Sequence, residues 1–133
     1  MTVEELAPSL ADFVRAALGR KATDLLVLDV SALTSFADVF MLCSGKSNRQ
    51  VTAIAEHIRR DLKDKGISPI SVEGMSEGHW VLMDYGHILV HVFLEPVREF
   101  YDLEGFWANA ERIPVDGFVQ GAEKDKENGA IDA

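Results

Sequence analysis

Leu10, Phe13, Val14, Ala17 and Leu18 recur at the three- and four-residue spacing of one helix face, and Gly19 offers a stop. Thr2 and Glu5 have capping-box spacing, but a helix begun there would hold Pro8 in its interior. A start at Pro8 costs no hydrogen bond, so the helix is expected from Pro8. Leu25 to Val30 is a short continuous apolar run bounded by polar residues and reads as a buried strand; Val39 to Cys43 reads as a second. Ser47 and Gln50 then form a capping box ahead of the stripe Val51, Ile54, Ala55, Ile58 and Leu62, which ends at Gly66. Glu56 and Arg60 lie four apart on the opposite, solvent-facing side. Further strands are expected over Pro69 to Glu73, Trp80 to Asp84 and Ile88 to Leu94, the last two joined by a tight hairpin at Tyr85-Gly86-His87. Pro96 can open a short helix through Val97, Phe100 and Tyr101, with a further turn carrying Leu103, Phe106 and Trp107.

Strand alternation sorts the side chains into two faces. Trp80, Leu82 and Asp84 share one, opposite Val81 and Met83; Ile88, Val90, Val92 and Leu94 oppose His87, Leu89, His91 and Phe93. The order of elements predicts a single α/β domain with a mixed five-stranded sheet flanked by helices, the helix after the second strand serving as a parallel crossover. The domain is expected over residues 1–113. From Pro114 the chain is Gly-rich and charged, and residues 114–133 are expected to form a disordered tail with too little apolar surface to offset ordering entropy.

Composition narrows the function classes. At 133 residues and 47% hydrophobic, the chain can bury one core but not two ordinary domains. Its formal charge of −9 repels a phosphate backbone and suits a basic protein partner. Cys43 is the sole cysteine, which excludes an intrachain disulfide and fits a reducing compartment. Acidic Glu4 and Glu5 precede any arginine and no long apolar run follows, against a signal peptide; no stretch reaches the ~18 apolar residues of a membrane span. A cytoplasmic location is expected.

The segment Val72 to Tyr101 and its extension to Trp107 interleave Trp80, Tyr85, Phe93, Phe100, Tyr101 and Trp107 with Glu77, Asp84, Glu95, Glu99, Asp102 and Glu104. Rings supply desolvated contact area and carboxylates select a basic partner, so this pattern fits a protein-binding face. Phe93, Phe100 and Phe106 are most economically core residues. For Trp80 and the Tyr101 to Trp107 segment, core packing and surface recognition both remain open.

Ordinary catalytic and metal chemistry finds little support. The Ser44-Gly45-Lys46-Ser47 turn lies between a strand and a helix N-terminus, as a phosphate cradle would, but lacks P-loop spacing, and Ser47 is already used as a cap. A small nucleotide-dependent transferase using this turn is the alternative reading. His79, His87, His91 and Cys43 show no metal-ligand spacing: on an extended strand His87 and His91 stand ~13 Å apart. His91 is expected as a strand histidine with a hydrogen-bonded ring, and Cys43 as a buried inert thiol. No D-x-D pair, of the kind that holds Mg²⁺ for nucleotidyl transfer, occurs on a predicted strand; Asp29, Asp38 and Asp84 suit turns.

The segments KATDLLVLDV from Lys21, FADVFMLCSGKSNRQVTAIA from Phe36, VEGMSEGHWVLMDYGHILVHVF from Val72 and REFYDLEGFW from Arg98 resemble the ribosomal silencing factors, or Iojap-like proteins. The likeness runs from Lys21 to about Ile113, leaving the first helix and the tail outside. It implies a fold related to nucleotidyltransferases but without their catalytic carboxylates, no enzyme activity and no cofactor. It further implies binding to the large ribosomal subunit through the ribosomal protein numbered fourteen, on the face where the small subunit docks. A bound factor would block subunit joining and damp translation when nutrients are scarce; free members form dimers. Carried over by position, Trp80, Leu82, Asp84, Tyr85, Tyr101, Asp102, Leu103 and Trp107 are the implied partner-binding residues. His87 stands where an acidic residue is usual in the family and Gly105 where a longer side chain is usual, so a charge contact weaker here or dependent on pH would follow if either matters.

Overall fold

The computed structural model describes residues 3–116. In chain order, the helix α1 (Val3–Leu18) leads into strands β1 (Thr23–Asp29) and β2 (Val39–Gly45), followed by helix α2 (Asn48–Asp64). Strands β3 (Ser71–Glu73), β4 (Trp80–Asp84) and β5 (Ile88–Leu94) come next, then the short helices α3 (Glu95–Tyr101) and α4 (Leu103–Phe106), and finally β6 (Glu111–Arg112). The strands form one sheet in the order β3-β4-β5-β2-β1-β6. Among the described residues only β2 and β5 run parallel, and α2 lies on the connection between them as the crossover predicted. The other pairings are antiparallel.

Two expectations from sequence are corrected. The sheet has six strands rather than five: Glu111 and Arg112 pair with Asp29 and Leu28. A two-residue polar edge strand carries no apolar alternation from which to read it. Helix α1 starts at Val3 rather than Pro8, so Pro8 lies inside it. Proline costs the bond to the Glu4 carbonyl, but its ring is exposed and the extra turn buries Leu6 one turn before Leu10. The tail expected from Pro114 falls largely on residues 117–133, outside the described residues.

Most other elements follow the predicted local rules. Ser47 caps α2, its Oγ accepting from the Gln50 N–H at 3.1 Å, while the Gln50 side chain accepts from the Lys46 N–H at 2.7 Å. The β4–β5 turn closes with the Tyr85 N–H donating to the Ile88 carbonyl at 2.9 Å, and Gly86 supplies a φ of +87°.

Two apolar layers lie on opposite faces of the sheet. On one, Leu6, Leu10, Phe13, Val14 and Ala17 of α1 and the predicted α2 stripe cover Val27, Met41, Cys43, Val81, Met83, Val90 and Val92. On the other, Leu28, Val30, Ala37, Phe40, Leu42, Leu89 and Phe93 form a smaller layer, flanked by half-buried Trp80, Leu82, Val97, Leu103 and Trp107. The alternation read from sequence thus assigns β4 and β5 correctly. The loop before β4 is pinned to α2 by the Thr52 hydroxyl, which donates to the Met75 carbonyl at 3.2 Å. Gly78 in that loop has φ +70°, and a Cβ there would meet the Asn48 carbonyl oxygen at 2.6 Å.

Three titratable groups are perturbed by these layers. Burial pushes the Cys43 thiol up to about 12, opposed by the Arg98 charge, which leaves it protonated and inert. Burial also raises the Tyr85 hydroxyl to about 12, opposed by Arg59. His91 is 4% exposed, and burial lowers it to about 4.

Two measurements check this account. Gly78→Ala should destabilise the fold by roughly 1–3 kcal/mol in denaturant unfolding, because a side chain meets both a left-handed backbone and the α2 carbonyl. His91, neutral when folded, favours the native state fully above its ordinary pKa near 6.5; that contribution declines as pH falls towards about 4, where the folded form also protonates. The stability difference between wild type and His91→Phe should therefore shift in favour of the variant by roughly 3 kcal/mol between pH 7 and pH 4. An invariant difference would remove His91 as the titrating group.

Candidate partner-binding face

The smaller apolar layer is where the functional candidates meet. Trp80 begins β4, paired with Phe93, and its half-buried indole packs on the Phe93 ring at a centroid distance of 4.8 Å. Tyr101, at the end of α3, lies 5.2 Å from Trp80 and is 56% exposed. Leu82 follows Trp80 on the same strand face, and Leu103 and Trp107 pack beside them. Phe40 links the two halves of the face: it meets Trp107 edge-on at 5.1 Å and His91 edge-on at 5.1 Å. Within this layer the Trp80 Nε1–H donates to His91 Nδ1 at 3.1 Å. The hydrogen-bonded strand histidine expected from sequence is therefore found, with an indole as its partner.

The short helices stay in place through Arg98. Its side chain is 10% exposed; Nε donates to Glu104 at 2.9 Å, and Nη1 donates to the Asp24 carbonyl at 2.7 Å and to Ser44 Oγ at 2.8 Å. These contacts tie α3 and α4 to β1 and β2, and Asp24 itself takes a positive φ at the register shift in β1. Around Arg98 lies an open cleft of about 660 Å³, lined also by Glu95, Glu99, Asp102 and Glu104. The rim beside the aromatic face is therefore predominantly acidic.

Not every sequence candidate joins this face. Tyr85 turns to the other layer, where its ring meets Phe13 of α1 edge-on at 4.9 Å and its hydroxyl is buried without a hydrogen-bond partner. The Asp84 carboxylate accepts from the Gly86 N–H at 2.7 Å and so shapes the β4–β5 turn. Asp102, at φ +45°, caps α4 by accepting from the Gly105 N–H at 3.2 Å. Gly105 leaves room for that carboxylate, which a Cβ would meet. His87 pairs with Asp38 at 2.7 Å, so its ring is engaged within the chain.

Phe100 and Phe106 were expected in the core and are instead 82% and 80% exposed. In α3, Val97 and Tyr101 are one turn apart and face the sheet side; in α4 and its cap, Leu103 and Trp107 do the same. Phe100 and Phe106 directly precede Tyr101 and Trp107, about 100° round the helix from them, and among the described residues no second element packs on these helices of seven and four residues to cover them. The sequence reading also missed Phe36, 60% exposed in the loop between β1 and β2, whose ring lies 6.3 Å from Trp107. Its surroundings, a short loop of mixed apolar and polar residues with no periodicity, gave no signal that it would join the face.

The Ser44 to Ser47 turn offers little to a phosphate. Ser44 is buried with its hydroxyl on Arg98 and its carbonyl on Thr23, the Lys46 N–H is held by Gln50, and Ser47 caps α2. Among the described residues, no group of three or more His, Cys, Asp or Glu side chains could hold a metal ion.

Comparison with known proteins assigns the chain. The family described as "Ribosomal silencing factor during starvation" matches residues 3–132. Ribosomal silencing factor RsfS of Bacillus subtilis is 39% identical over 97 residues, covering 73% of this chain and 82% of that protein. The chloroplastic protein Iojap of Zea mays is 37% identical over 101 residues, covering 76% of this chain and 44% of the maize protein. A crystal structure of a Chromobacterium violaceum protein superposes with a TM-score of 0.73 at 39% identity, covering 81% of this chain and 88% of that one. A Bacillus halodurans crystal structure gives the same TM-score at 31% identity, covering 81% and 98%. The matching fold and the sequence match across nearly the whole chain agree: this protein belongs to the ribosomal silencing factor family.

Proposed function

We propose that this chain is a translational repressor that binds the large ribosomal subunit through its protein numbered fourteen and sterically prevents the small subunit from joining, damping translation under nutrient limitation. The observation that carries this reading is the aromatic face of Trp80, Leu82, Tyr101, Leu103 and Trp107, which the chain's own helices leave partly open beside an acidic rim. Half-buried tryptophan and tyrosine are the usual anchors of a protein contact, and carboxylates around them favour a basic partner, as ribosomal proteins generally are. Its relatives carry the name ribosomal silencing factor, and a mouse relative at 29% identity is named for mitochondrial assembly of the ribosomal large subunit.

Each candidate residue takes a distinct role in this reading. Trp80, Tyr101 and Trp107 are the anchors and Leu82 and Leu103 fill between them. Asp84 and Asp102 lend charge while holding the turn and the α4 cap. Tyr85 supports β4 from the opposite layer and does not touch the partner. A footprint of ~800 Å² per partner suffices for specific binding, and exclusion requires no catalysis. A location where ribosomes work, the cytoplasm, follows, and no helix among the described residues is long and apolar enough to cross a membrane.

A second reading has its own observation. Phe36, Phe100 and Phe106 widen the exposed apolar surface beyond the anchors, which favours a homodimer of the free protein through the same region. Dimerisation and ribosome binding would then compete. The transferase alternative lacks such support, because the turn it needs is engaged within the chain.

The purified protein should co-sediment with large subunits and lower the yield of joined ribosomes in a gradient. Trp80→Ala and Tyr101→Ala should each weaken co-sedimentation by about tenfold or more while circular dichroism stays native. Unchanged subunit joining at saturating protein rejects the mechanism. Sedimentation equilibrium of the free variants tests the dimer, which predicts that they become monomeric, and heat on titration with nucleotide and Mg²⁺ would revive the transferase.

A further inference from the structure

The bond between Trp80 and His91 joins a half-buried anchor to a buried, uncharged ring. An indole N–H can only donate, so His91 Nδ1 is the acceptor and the single proton of the neutral imidazole sits on Nε2. That Nε2 is buried without a hydrogen-bond partner. Phe93 lies parallel to the imidazole at 6.0 Å, with 8° between the planes, and Phe40 meets it edge-on at 5.1 Å, so the ring has little freedom to turn. For packing alone this is a poor choice. Phenylalanine would occupy similar space among Phe40, Phe93 and Trp80 and would remove the orphaned Nε2, a buried donor that lowers stability, at the cost of the acceptor on which the Trp80 N–H rests. What the imidazole supplies, and a hydrocarbon could not, is an acceptor for the Trp80 indole.

We infer that His91 is a positioning residue for partner binding: it fixes the Trp80 indole against Phe93 and Tyr101 in the orientation the partner meets. The inference extends the ribosomal reading of this face. It also defines what Trp80 presents. With its N–H directed inward, the indole meets the partner as ring surface and not as a hydrogen-bond donor, which suits an aliphatic or cationic side chain of a basic protein. His91 itself, 4% exposed, touches no partner and acts only through Trp80. The same layer continues from His91 through Phe40 to Trp107, so the imidazole stands between both tryptophan anchors.

The test uses the full chain, ¹⁵N-labelled for spectroscopy, with purified large subunits for affinity. In the wild type the Trp80 indole N–H should exchange slowly with water; Trp107→Phe assigns the two indole signals. His91→Phe should fold with stability at pH 7 close to that of wild type, because the orphaned Nε2 is removed while the freed indole N–H can turn to water. Its Trp80 signal should shift and exchange rapidly, and its affinity for large subunits should fall about tenfold, the scale of one lost buried hydrogen bond with reorientation of an anchor. On a Trp80→Phe background the same His91→Phe change should alter affinity by less than about twofold, because the group through which it acts is gone. An unshifted, still protected indole in His91→Phe overturns the inference. So does an equal loss on both backgrounds, or undiminished affinity despite a released indole. If wild type fails to bind large subunits, the ribosomal reading falls instead, and the indole exchange alone decides whether His91 holds Trp80.

Discussion

Both faces of the central strands are apolar, yet among the described residues long helices cover only one of them. All seven residues of β2 and six of the seven in β5 are buried, so each face must be covered to remove that surface from water. Helices α1 and α2, of 16 and 17 residues, cover one face completely. The other is left to α3 and α4, of seven and four residues, together with loop and strand aromatics. Rings thus serve where helix is lacking, and they cannot bury themselves entirely. This shortage of cover makes Trp80, Tyr101 and Trp107 at once part of the fold and part of a surface.

The same shortage explains how polar groups are arranged there. Arg98 joins α3 to α4 by one hydrogen bond and to β1 and β2 by two more, giving α3 an anchorage that its length and unburied side chains could not provide. Asp102 and Asp84 hold a cap and a turn, and His91 orients an indole. A partner that docked on this face would meet rings already ordered, so less side-chain entropy would be lost on binding. The acidic charge around the rings comes largely from residues with structural duties, which couples the surface potential to the local fold.

Legibility of the site differed by residue for physical reasons. Strand alternation placed Trp80 and Leu82 together, opposite Val81 and Met83, because a period of two leaves no choice once the strand is fixed. Tyr85 lies one residue beyond β4, where the turn ends alternation, and its ring went to Phe13. For Phe100 and Phe106 hydrophobicity alone suggested burial, but burial needs a facing element, and short helices on the sheet's sparsely covered side have none. Phe36 had no periodicity from which it could be read and joined the face only through folding of the loop beside Trp107.

Local spacing and contiguous motifs were enough to specify the two long amphipathic helices, five of the strands, the Ser47 cap, the β4–β5 turn and the family. Tertiary structure alone decided that α1 continues through Pro8, where burial of Leu6 offsets a missing hydrogen bond, and that two polar residues form a sixth strand. It also decided which aromatic rings stay open and that Trp80 donates to His91, eleven residues away on the neighbouring strand. Local pattern fixes what an element can bury; only the set of elements packed against it fixes what is left uncovered.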